Sequence, residues 1–322
     1  MTYDESWDRP HAPLDHPLWQ ESDCYWFRDA ERGIGGFHRI GQHPNTGVGQ
    51  VMLFVFEEGG QRYRHVAEHA LGAGARTSSG QRVHTSGVEA LGGGAMRFSW
   101  ADGDCAGDLR FEDPFYLPRD WSVGGHGAAA RAQMNAGGHL ECAGRLRGTV
   151  RLGARELTVD ALAHRDRSWG PRDVTRVAQH RMCTGTVGRA FSFAAFTLAF
   201  KPAGRHAAGF VVREGIEEDV TGVRVLATLD NDGLTAVGGE TQLTLASGER
   251  LVVPCAARQS FLHVTSGYVA TDAISIFTYG GQPGFCDLEI ANNPHHGSHV
   301  PGPAEVNGVC ITDGLSSCVD GG

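Results

Sequence analysis

The chain has 322 residues, a formal net charge of -9 and 41% hydrophobic residues, which is typical of a folded protein with one large or two ordinary domains. The negative charge argues against nucleic acids and anionic membranes, because phosphate binding requires a surplus of Lys and Arg. No apolar run is long enough to predict a membrane span, and Met1 to Trp19 lacks the pattern of a secretory signal. We therefore expect a cytoplasmic protein whose partner is a hydrophobic small molecule.

Short β-branched and aromatic segments bounded by glycine turns predict hairpins along most of the chain. The segment 37–45 predicts a strand that ends in a Pro-Asn turn. The 46 glycines allow strong curvature and bulges, which favours barrel-like sheets and an all-β fold. Four hairpins are predicted after the first strand, at 51–57 with 61–67, 145–152 with 156–162, 223–229 with 234–237, and 242–245 with 251–254.

The chain is predicted to form two β domains, with a boundary between residues 120 and 180. We place the N-terminal domain at residues 1–155 and the C-terminal domain at residues 156–322. The Gly- and Ala-rich stretch 124–138 is a candidate linker or short helix. The Gly/Ser-rich end of the chain, with Cys310 and Cys318, is expected to be a flexible tail that frays. Exposed strand edges could pair two copies, so a homodimer could form.

The eight cysteines are scattered, with no Cys-x-x-Cys pair. A zinc site of the usual spacing is therefore not expected, and most cysteines are predicted to be small buried hydrophobic residues. A histidine tract at His295, His296 and His299 lies among Pro and Gly residues, which favours surface histidines over metal ligands. The sequence also lacks a P-loop, a Gly-x-Ser-x-Gly elbow and a dinucleotide-binding glycine motif. It predicts neither a metal nor a cofactor.

The charged stretch HRDRSWGPRD at residues 164–173 follows a predicted strand and is the best candidate for a chemical centre. Trp169 interrupts the charges, and Pro171 stiffens the segment because its ring fixes φ. The stretch could be a fixed cluster at the mouth of a barrel. It could equally be a structural network of Arg and Asp residues that locks two sheets together.

Asp166 is the first candidate for a general acid, because an apolar cavity would raise the pKa of its carboxyl group. Its neighbours Arg165 and Arg167 favour the ionised form and a role as a base or cation stabiliser, and the sequence leaves both roles open. Trp169 could offer a π face to a carbocation. His164 could transfer a proton or orient the neighbouring carboxylate.

A second candidate segment, GFCDLEI at residues 284–290, predicts a strand after a glycine turn. Alternation places Asp287 and Glu289 on one face, opposite an apolar face. The strand could lie at the surface, or it could belong to a barrel with a polar lumen, in which Glu289 would line the site. In the early segment, His38 or Asn45 is a candidate polar group at a rim.

An aromatic segment, AFSFAAFTLAF at residues 190–200, predicts a buried strand. Phe191 and Phe193 share one face, whereas Phe196 continues on the other register. A bulge at residues 194–195 would bring the rings to one side. The rings could form a packed core only, or they could also form the wall of a ligand cavity.

The stretch 148–173, which contains HRDRSWG, resembles the strand-and-turn signature of lipocalin-like proteins related to carotenoid 1,2-hydratase (hydroxyneurosporene synthase). The same group includes AttH-like proteins, fungal lipocalin-like Diels–Alderases and many bacterial members without an assigned activity. FHRIGQHPN at 37–45 and GFCDLEIANN at 284–293 are similar to segments of those bacterial members. The resemblance thus extends over most of the chain, with its most specific motif in the centre.

This resemblance implies two consecutive lipocalin-like β-barrels or half-barrels with a hydrophobic cavity, and cofactor-free chemistry on isoprenoid- or polyketide-like substrates. The residues matched by position are Asp166 and Trp169, with His164 and Arg165 beside them. Related sequences commonly have a second His where this chain has Arg167, which carries a permanent charge. A mechanism of the related proteins that requires this second His therefore cannot apply to this chain without change.

The leading hypothesis is an enzyme, a cofactor-independent lyase or isomerase. In its simplest form it is a hydratase or dehydratase that uses acid–base chemistry on a terpenoid-like alkene or alcohol. The alternatives are a Diels–Alderase-like cyclase of a polyene or polyketide, a non-catalytic carrier of hydrophobic small molecules, and a structural protein. The candidate catalytic residues are Asp166, His164, Trp169, Arg165 and Glu289. The candidate substrate-binding residues are Arg167, Phe191, Phe193, Phe196 and His38.

Overall fold

A computed structural model describes the chain at residues 3–120, 137–200, 204–265, 268–293, 296, 309–310 and 312–318. Strands account for 72% of the chain and helices for 3%, which confirms the predicted all-β class. Short 3₁₀ helices lie at Glu5–Asp8 and Val174–Arg176. Within the described residues, no helix is both long and apolar enough to cross a membrane.

The first of two compact units is a curled half-barrel of twelve strands. Its strands are β1 Trp19–Asp29, β2 Ile34–His43, β3 Val48–Glu57, β4 Gln61–Ala70, β5 Gly80–Val83, β6 Ser86–Gly92, β7 Ala95–Asp102, β8 Cys105–Glu112, β9 Arg119–Asp120, β10 Gly138–Leu152, β11 Arg155–Pro171 and β21 Gly314–Ser317. Their order in the sheet is β21-β4-β3-β2-β1-β11-β10-β8-β7-β6-β5, and β9 pairs with β10.

The second unit is a closed barrel of eight antiparallel strands. The strands are β12 Val177–Thr186, β13 Ser192–Phe200, β14 Gly204–Arg213, β15 Ile216–Leu229, β16 Ala236–Leu245, β17 Arg250–Thr265, β18 Tyr268–Tyr279 and β19 Gln282–Asn292, and β20 Val309–Cys310 adds parallel to β17. Their order is β16-β15-β14-β13-β12-β19-β18-β17, and the pairing of β16 with β17 closes the ring.

The division between the units falls after Arg172. Residue 155, where the boundary was expected, lies instead at the start of β11 in the β10–β11 hairpin. The reason is that β11 pairs with β10 and β1, both of the first unit, so the whole strand belongs there. Residues 124–136 of the expected linker lie outside the described residues, and Gly138 already begins β10.

The four predicted hairpins are confirmed as β3–β4, β10–β11, β15–β16 and β16–β17. β2 also ends before the Pro-Asn turn, as expected. The predicted bulge in the aromatic strand is wrong, because β13 pairs with β12 and β14 in unbroken register through residues 194–195. Most side chains on both faces of β13 are buried, so the rings are covered without a bulge.

The described part of the chain end is anchored to the first unit. β21 pairs antiparallel with β4, and Arg64 forms an ion pair with Asp313. The Cys318 thiol donates a hydrogen bond from Sγ to the Glu57 carbonyl oxygen at 3.0 Å. The expected fraying is therefore wrong for residues 312–318, because the edge strand β4 offers them backbone partners.

Each unit has a core of apolar side chains on the inner face of its own sheet. Tyr25, Phe98 and Leu146 belong to the core of the first unit, and Phe193 and Leu288 to that of the second. Five cysteines are buried and form no disulfide, in agreement with the prediction that most of them are small core residues: Cys24, Cys105, Cys142, Cys183 and Cys286. Because side chains alternate, the same strands present a second face opposite each core.

Candidate functional site

The charged stretch 164–173 begins as a continuation of β11 and not as a turn. Its side chains therefore alternate between the two faces of the sheet. Arg165 lies on the core side, with its guanidinium 5.6 Å from the centre of the Phe111 ring. His164 and Asp166 lie on the opposite face. The structure thus separates residues that the sequence grouped into one centre.

The core-side half of the stretch is a network of buried ion pairs. Arg165 donates hydrogen bonds to both carboxylate oxygens of Asp8, at 2.8 and 2.9 Å. Arg167 pairs with Glu21 and Asp23. The two arginine side chains are only 2% and 1% exposed. Each of these arginines has a carboxylate partner, which supports the structural alternative for this half of the stretch.

Trp169 lies on the same face as Arg167 and is half-buried. Its indole stacks on His11, with the ring centroids 4.1 Å apart and the planes 11° from parallel. The ring also covers β10, where a Cβ at Gly138 would collide with it, so glycine is required at that position. Packing thus fixes the indole, and its contact with a carbocation stays a prediction.

His38 lies inside the core of the first unit and not at a rim, because its position on β2 points inward. Its ring centroid is 5.6 Å from that of Tyr25 and 5.3 Å from that of Trp100. Neither ring nitrogen has a hydrogen-bond partner among the described residues. Burial lowers the pKa of His38 to about 3, so the imidazole is neutral near pH 7.

On the face opposite the core, two histidines and two carboxylates from β10 and β11 lie together. His164 Nε2 is hydrogen-bonded to Glu141 Oε2, and His139 Nε2 to Asp166 Oδ2. The Cys24 thiol donates to the other oxygen of Asp166 at 3.5 Å. We call His139, Glu141, His164 and Asp166 the first-unit cluster.

Asp166 is held as a carboxylate in this cluster. Its burial favours the neutral acid, but the charge and hydrogen bond of His139 outweigh that effect and hold the pKa of Asp166 below its usual value. The burial of His139 opposes its protonation, but the contact with Asp166 raises the pKa of the imidazole. The pairing favours the ionised form of Asp166, which is the base alternative and not the acid alternative.

The first-unit cluster contains the one group of three or more potential metal ligands found among the described residues. Ligand atoms of His139, Glu141 and Asp166 lie within 4.8 Å of one another. In the histidine tract, His296 Nε2 lies 2.8 Å from a backbone oxygen, while residues 295 and 299 lie outside the described residues. The first-unit cluster, and not the tract, is the place where a cation could bind.

A second polar cluster lies on the outer face of the closed barrel. β19 alternates as predicted, since Cys286 and Leu288 enter the core and Asp287 and Glu289 occupy the other face. Asp287 is fully buried. Neither of its carboxylate oxygens has a hydrogen-bond partner among the described residues.

The strands beside β19 bring further titratable groups to this face. Asp272 of β18 lies opposite Glu289, and its Oδ2 is 2.7 Å from His263 Nε2. His180 of β12 lies on the other side, with its Nδ1 3.2 Å from Glu289 Oε1. We call Asp287, Asp272, His263, Glu289 and His180 the outer-face cluster.

Asp287 differs from Asp166 in having no hydrogen-bonded cation. Burial has the largest effect, and the neighbouring carboxylates of Asp272 and Glu289 add to it, so the pKa of Asp287 is raised well above its usual value. Burial and these two carboxylates therefore favour the neutral acid of Asp287 over its carboxylate. Among the described residues, it is the strongest candidate for a proton donor.

Apolar groups border the outer-face cluster. Ile274 is a cross-strand partner of Asp287, and Met182 lies between Glu289 and Phe196 in the register. The Phe196 ring lies across the face, with its centroid 6.5 Å from that of His180. Two of the residues named from the sequence, Glu289 and Phe196, are therefore placed on one face with Asp287.

Phe191 and Phe193 lie instead in the core of the second unit. Phe191 stacks on Tyr279 with the ring centroids 3.8 Å apart, and Phe193 meets Phe277 edge-on at 5.7 Å. This is the packed-core alternative that the sequence left open. A second role as the wall of a ligand cavity stays a prediction.

The sequence pattern did not point to four residues of these clusters, His139, Glu141, Asp272 and His263. One signal was present, because HLEC at residues 139–142 alternates polar and apolar side chains, as a strand with two different faces does. That pattern marks a polar face, but it does not show that β10 brings the face against Asp166. The partners therefore required the strand register.

Residues 4–294 match the family model described as "Domain of unknown function (DUF7064)". The chain belongs to this family. No curated protein matches the DUF7064 chain.

Several solved structures share the fold of this DUF7064 protein. An AttH candidate from Nitrosomonas europaea has a TM-score of 0.61 at 12% identity and covers 88% of this chain and 97% of its own. CghA, also solved with Sch210972, has a TM-score of 0.61 at 11% identity over 88% and 90%. Kievitone hydratase from Nectria haematococca has a TM-score of 0.56 at 9% identity over 85% and 88%. These likenesses confirm the lipocalin-like fold implied by the resemblance.

Proposed function

We propose that this DUF7064 protein is a hydro-lyase or isomerase that uses acid–base chemistry on a hydrophobic alkene or alcohol, with Asp287 as the proton donor. The observation that carries the proposal is the fully buried Asp287 carboxyl group, which has no hydrogen-bond partner among the described residues. Structures of similar fold include a hydratase and the Diels–Alderase CghA, so a lyase or cyclase is consistent with this fold.

In the direction of hydration, the Asp287 acid transfers its proton to one carbon of a C=C bond. This leaves a carbocation at the other carbon and a carboxylate at Asp287. Water adds to the cation, and its excess proton returns to the carboxylate, which restores the acid. One water molecule has then been added across the double bond, and dehydration is the same path reversed.

Asp272 and His263 favour the return of the proton. When Asp287 is ionised, it lies beside the Asp272 carboxylate, and the repulsion between like charges makes it a stronger base. His263, at 2.7 Å from Asp272, orients that carboxylate. Glu289 and His180 are 16% and 22% exposed, so they can exchange protons between this face and the solvent.

The side chains that border the acid are apolar, which favours a hydrophobic substrate. Ile274, Met182 and Phe196 offer no charged group to a ligand, and an aromatic ring can stabilise a nearby cation by about 0.5–2 kcal/mol. A terpenoid-like alkene or alcohol combines an apolar body with a carbon that can carry positive charge. It is therefore the substrate class that we propose.

A cyclase is the second candidate, favoured by the likeness in fold to CghA. In that reaction the Asp287 acid would hydrogen-bond to a carbonyl group of a polyene or polyketide, and the surrounding face would hold the chain in a folded conformation. Cyclisation leaves the mass of the substrate unchanged, whereas hydration adds the mass of water. A non-catalytic carrier would return its ligand unaltered.

The test incubates the full chain with a panel of terpenoid alkenes and alcohols in ¹⁸O-labelled water and follows the products by mass spectrometry. We expect incorporation of labelled oxygen, and we expect Asp287→Asn to lower the rate by about 10²–10⁴-fold, the usual contribution of a general acid. Glu156→Gln, which removes an exposed carboxylate of β11, is the control and should keep full activity. Full activity in Asp287→Asn would refute the proposed donor.

A further inference from the structure

We propose that His139, Glu141 and Asp166 of the first-unit cluster form a binding site for one divalent transition-metal cation, such as Mn²⁺ or Zn²⁺. This replaces the expectation from the sequence that no metal site exists. The inference does not rest on the proposed function, because it shares no residue with the outer-face cluster.

Two neighbouring strands bring the three ligands together. His139 and Glu141 are two residues apart on β10, so their side chains leave the same face of the sheet. Asp166 of β11 lies directly opposite Glu141 in the register. As a result, the candidate ligand atoms lie within 4.8 Å of one another. Ligands on paired strands are held more rigidly than ligands on loops.

The buried oxygen of Glu141 provides an independent observation. The side chain is 0% exposed, and its Oε1 has no hydrogen-bond partner among the described residues. This atom nevertheless lies 3.4 Å from His139 Nε2, so it is aimed into the cluster. A buried polar atom that makes no hydrogen bond destabilises the fold, because its lost contacts with water are not replaced. A coordinated cation would satisfy it.

The second carboxylate oxygens of Glu141 and Asp166 are hydrogen-bonded to residues other than the three proposed ligands. His164 Nε2 is hydrogen-bonded to Glu141 Oε2, and the Cys24 thiol donates to Asp166 Oδ1 at 3.5 Å. These contacts leave Glu141 Oε1 and Asp166 Oδ2 near the imidazole of His139. Contacts of this kind orient metal ligands in proteins.

The donor set selects the class of cation. One imidazole nitrogen with two carboxylate oxygens suits divalent first-row metals such as Mn²⁺, Fe²⁺ and Zn²⁺, whereas Ca²⁺ and Mg²⁺ prefer oxygen ligands alone. The cation would replace the proton that His139 shares with Asp166, and the two carboxylates match its double charge. Three protein ligands also leave coordination positions for water or a substrate. The side chain of His139 is 21% exposed, which gives the cation access from solvent.

The test starts from the full chain freed of metal by dialysis against a chelator, which is then titrated with Mn²⁺ and with Zn²⁺ by calorimetry. We expect one cation per chain, and we expect Asp166→Asn and His139→Gln to weaken binding by at least about 100-fold. His164→Gln, which removes only an orienting contact, should weaken binding by about 10–100-fold. His65→Gln is the matched control, since His65 Nδ1 lies 3.1 Å from Asp102 in a simple histidine–carboxylate pair. It should bind as the wild type does.

A spectroscopic measurement identifies the ligand directly. Pulsed electron paramagnetic resonance of the Mn²⁺-loaded chain should show the nitrogen coupling of a bound imidazole, and His139→Gln should lose it while His65→Gln keeps it. Circular dichroism checks the fold of each variant, and if His139→Gln or Asp166→Asn fails to fold, His164→Gln decides the outcome. Absence of stoichiometric binding to the wild type, or wild-type affinity in the folded ligand variants, would overturn the site. Asp287→Asn should bind Mn²⁺ normally, so failure here is distinct from failure of the proposed function.

Discussion

The two units differ in how their buried carboxyl groups are neutralised. In the first unit, Asp166 faces a histidine and Asp8 faces Arg165, so each negative charge has a cationic partner. On the outer face of the second unit, Asp287 has carboxylates as neighbours, and its burial together with their charge favours the protonated form. In the highly charged stretch 164–173, the buried charges of Arg165, Asp166 and Arg167 thus all have partners of opposite charge. The carboxyl group whose pKa is raised well above its usual value is Asp287, on β19, a strand with few charged residues.

The largest expected effect is the loss of stability when the buried ion pairs of Arg167 are broken. Arg167→Met leaves the buried carboxylates of Glu21 and Asp23 without this partner, and such a change costs about 3–5 kcal/mol of unfolding free energy. Urea denaturation measures the loss. Arg97→Met is the control, because Arg97 and Asp108 are 41% and 49% exposed and such pairs contribute at most about 1 kcal/mol. Equal losses in both variants would contradict a special role for the buried network.

A smaller effect should follow from acid. Burial opposes ionisation of Asp8, but Arg165 outweighs it, so the pKa of Asp8 is lowered from 3.8. Glu21 behaves in the same way, because Arg167 outweighs burial and lowers its pKa from 4.5. Since each folded pKa lies below the unfolded one, this stabilisation is fully present above the unfolded values and is lost as the pH falls through the folded values.

We therefore expect the unfolding free energy of the wild type to fall as the pH is lowered below about 4.5. Urea titrations at a series of pH values give the profile. Glu156→Gln, which removes an exposed carboxylate, should leave the profile unchanged. Asp23 and Asp287, whose pKa values are raised by burial, contribute the opposite slope, so a flat profile would show that the gain at Asp8 and Glu21 is no larger than the effect of these two groups.

The smallest effect is expected at His38, which has neither a charge nor a hydrogen bond to lose. His38→Phe replaces a neutral ring among Tyr25 and Trp100 with an apolar one of similar shape, and it should change the unfolding free energy by less than about 1.5 kcal/mol. His164→Phe is the contrast, because it removes the partner of the buried Glu141 and should cost more. A larger loss of unfolding free energy in His38→Phe than in His164→Phe would contradict the conclusion that His38 is a neutral core residue without a hydrogen bond.

Local patterns in the sequence predict much of this fold. Glycine turns between β-branched segments locate four hairpins, and alternation places Asp287 and Leu288 on opposite faces of β19. The sequence does not show that β11 continues through His164 to Pro171, because a run of charges is rare in a strand. Only pairing with β1 and β10 keeps that run extended, and such pairing depends on residues far away in the chain.

The candidate site was harder to predict, because it depends on which faces are buried. Glu289 and Phe196 were named from the sequence, and they lie on the face that holds Asp287. The protonation of Asp287, however, depends on its burial and on Asp272, which is fifteen positions earlier in the chain. For Asp166 the ionised form is favoured, because His139 on the neighbouring strand is hydrogen-bonded to its carboxylate. Neither environment is visible in the residues next to these carboxyl groups.

The protonation state of Asp287 tests the central claim most directly, and infrared difference spectroscopy near pH 7 measures it. The wild type should show the C=O stretching band of a carboxylic acid, shifted in D₂O and absent from Asp287→Asn, whereas Asp166→Asn should keep the band. A wild-type spectrum that contains only ionised carboxylates would contradict the account. So would a carboxylic acid band that survives unchanged in Asp287→Asn.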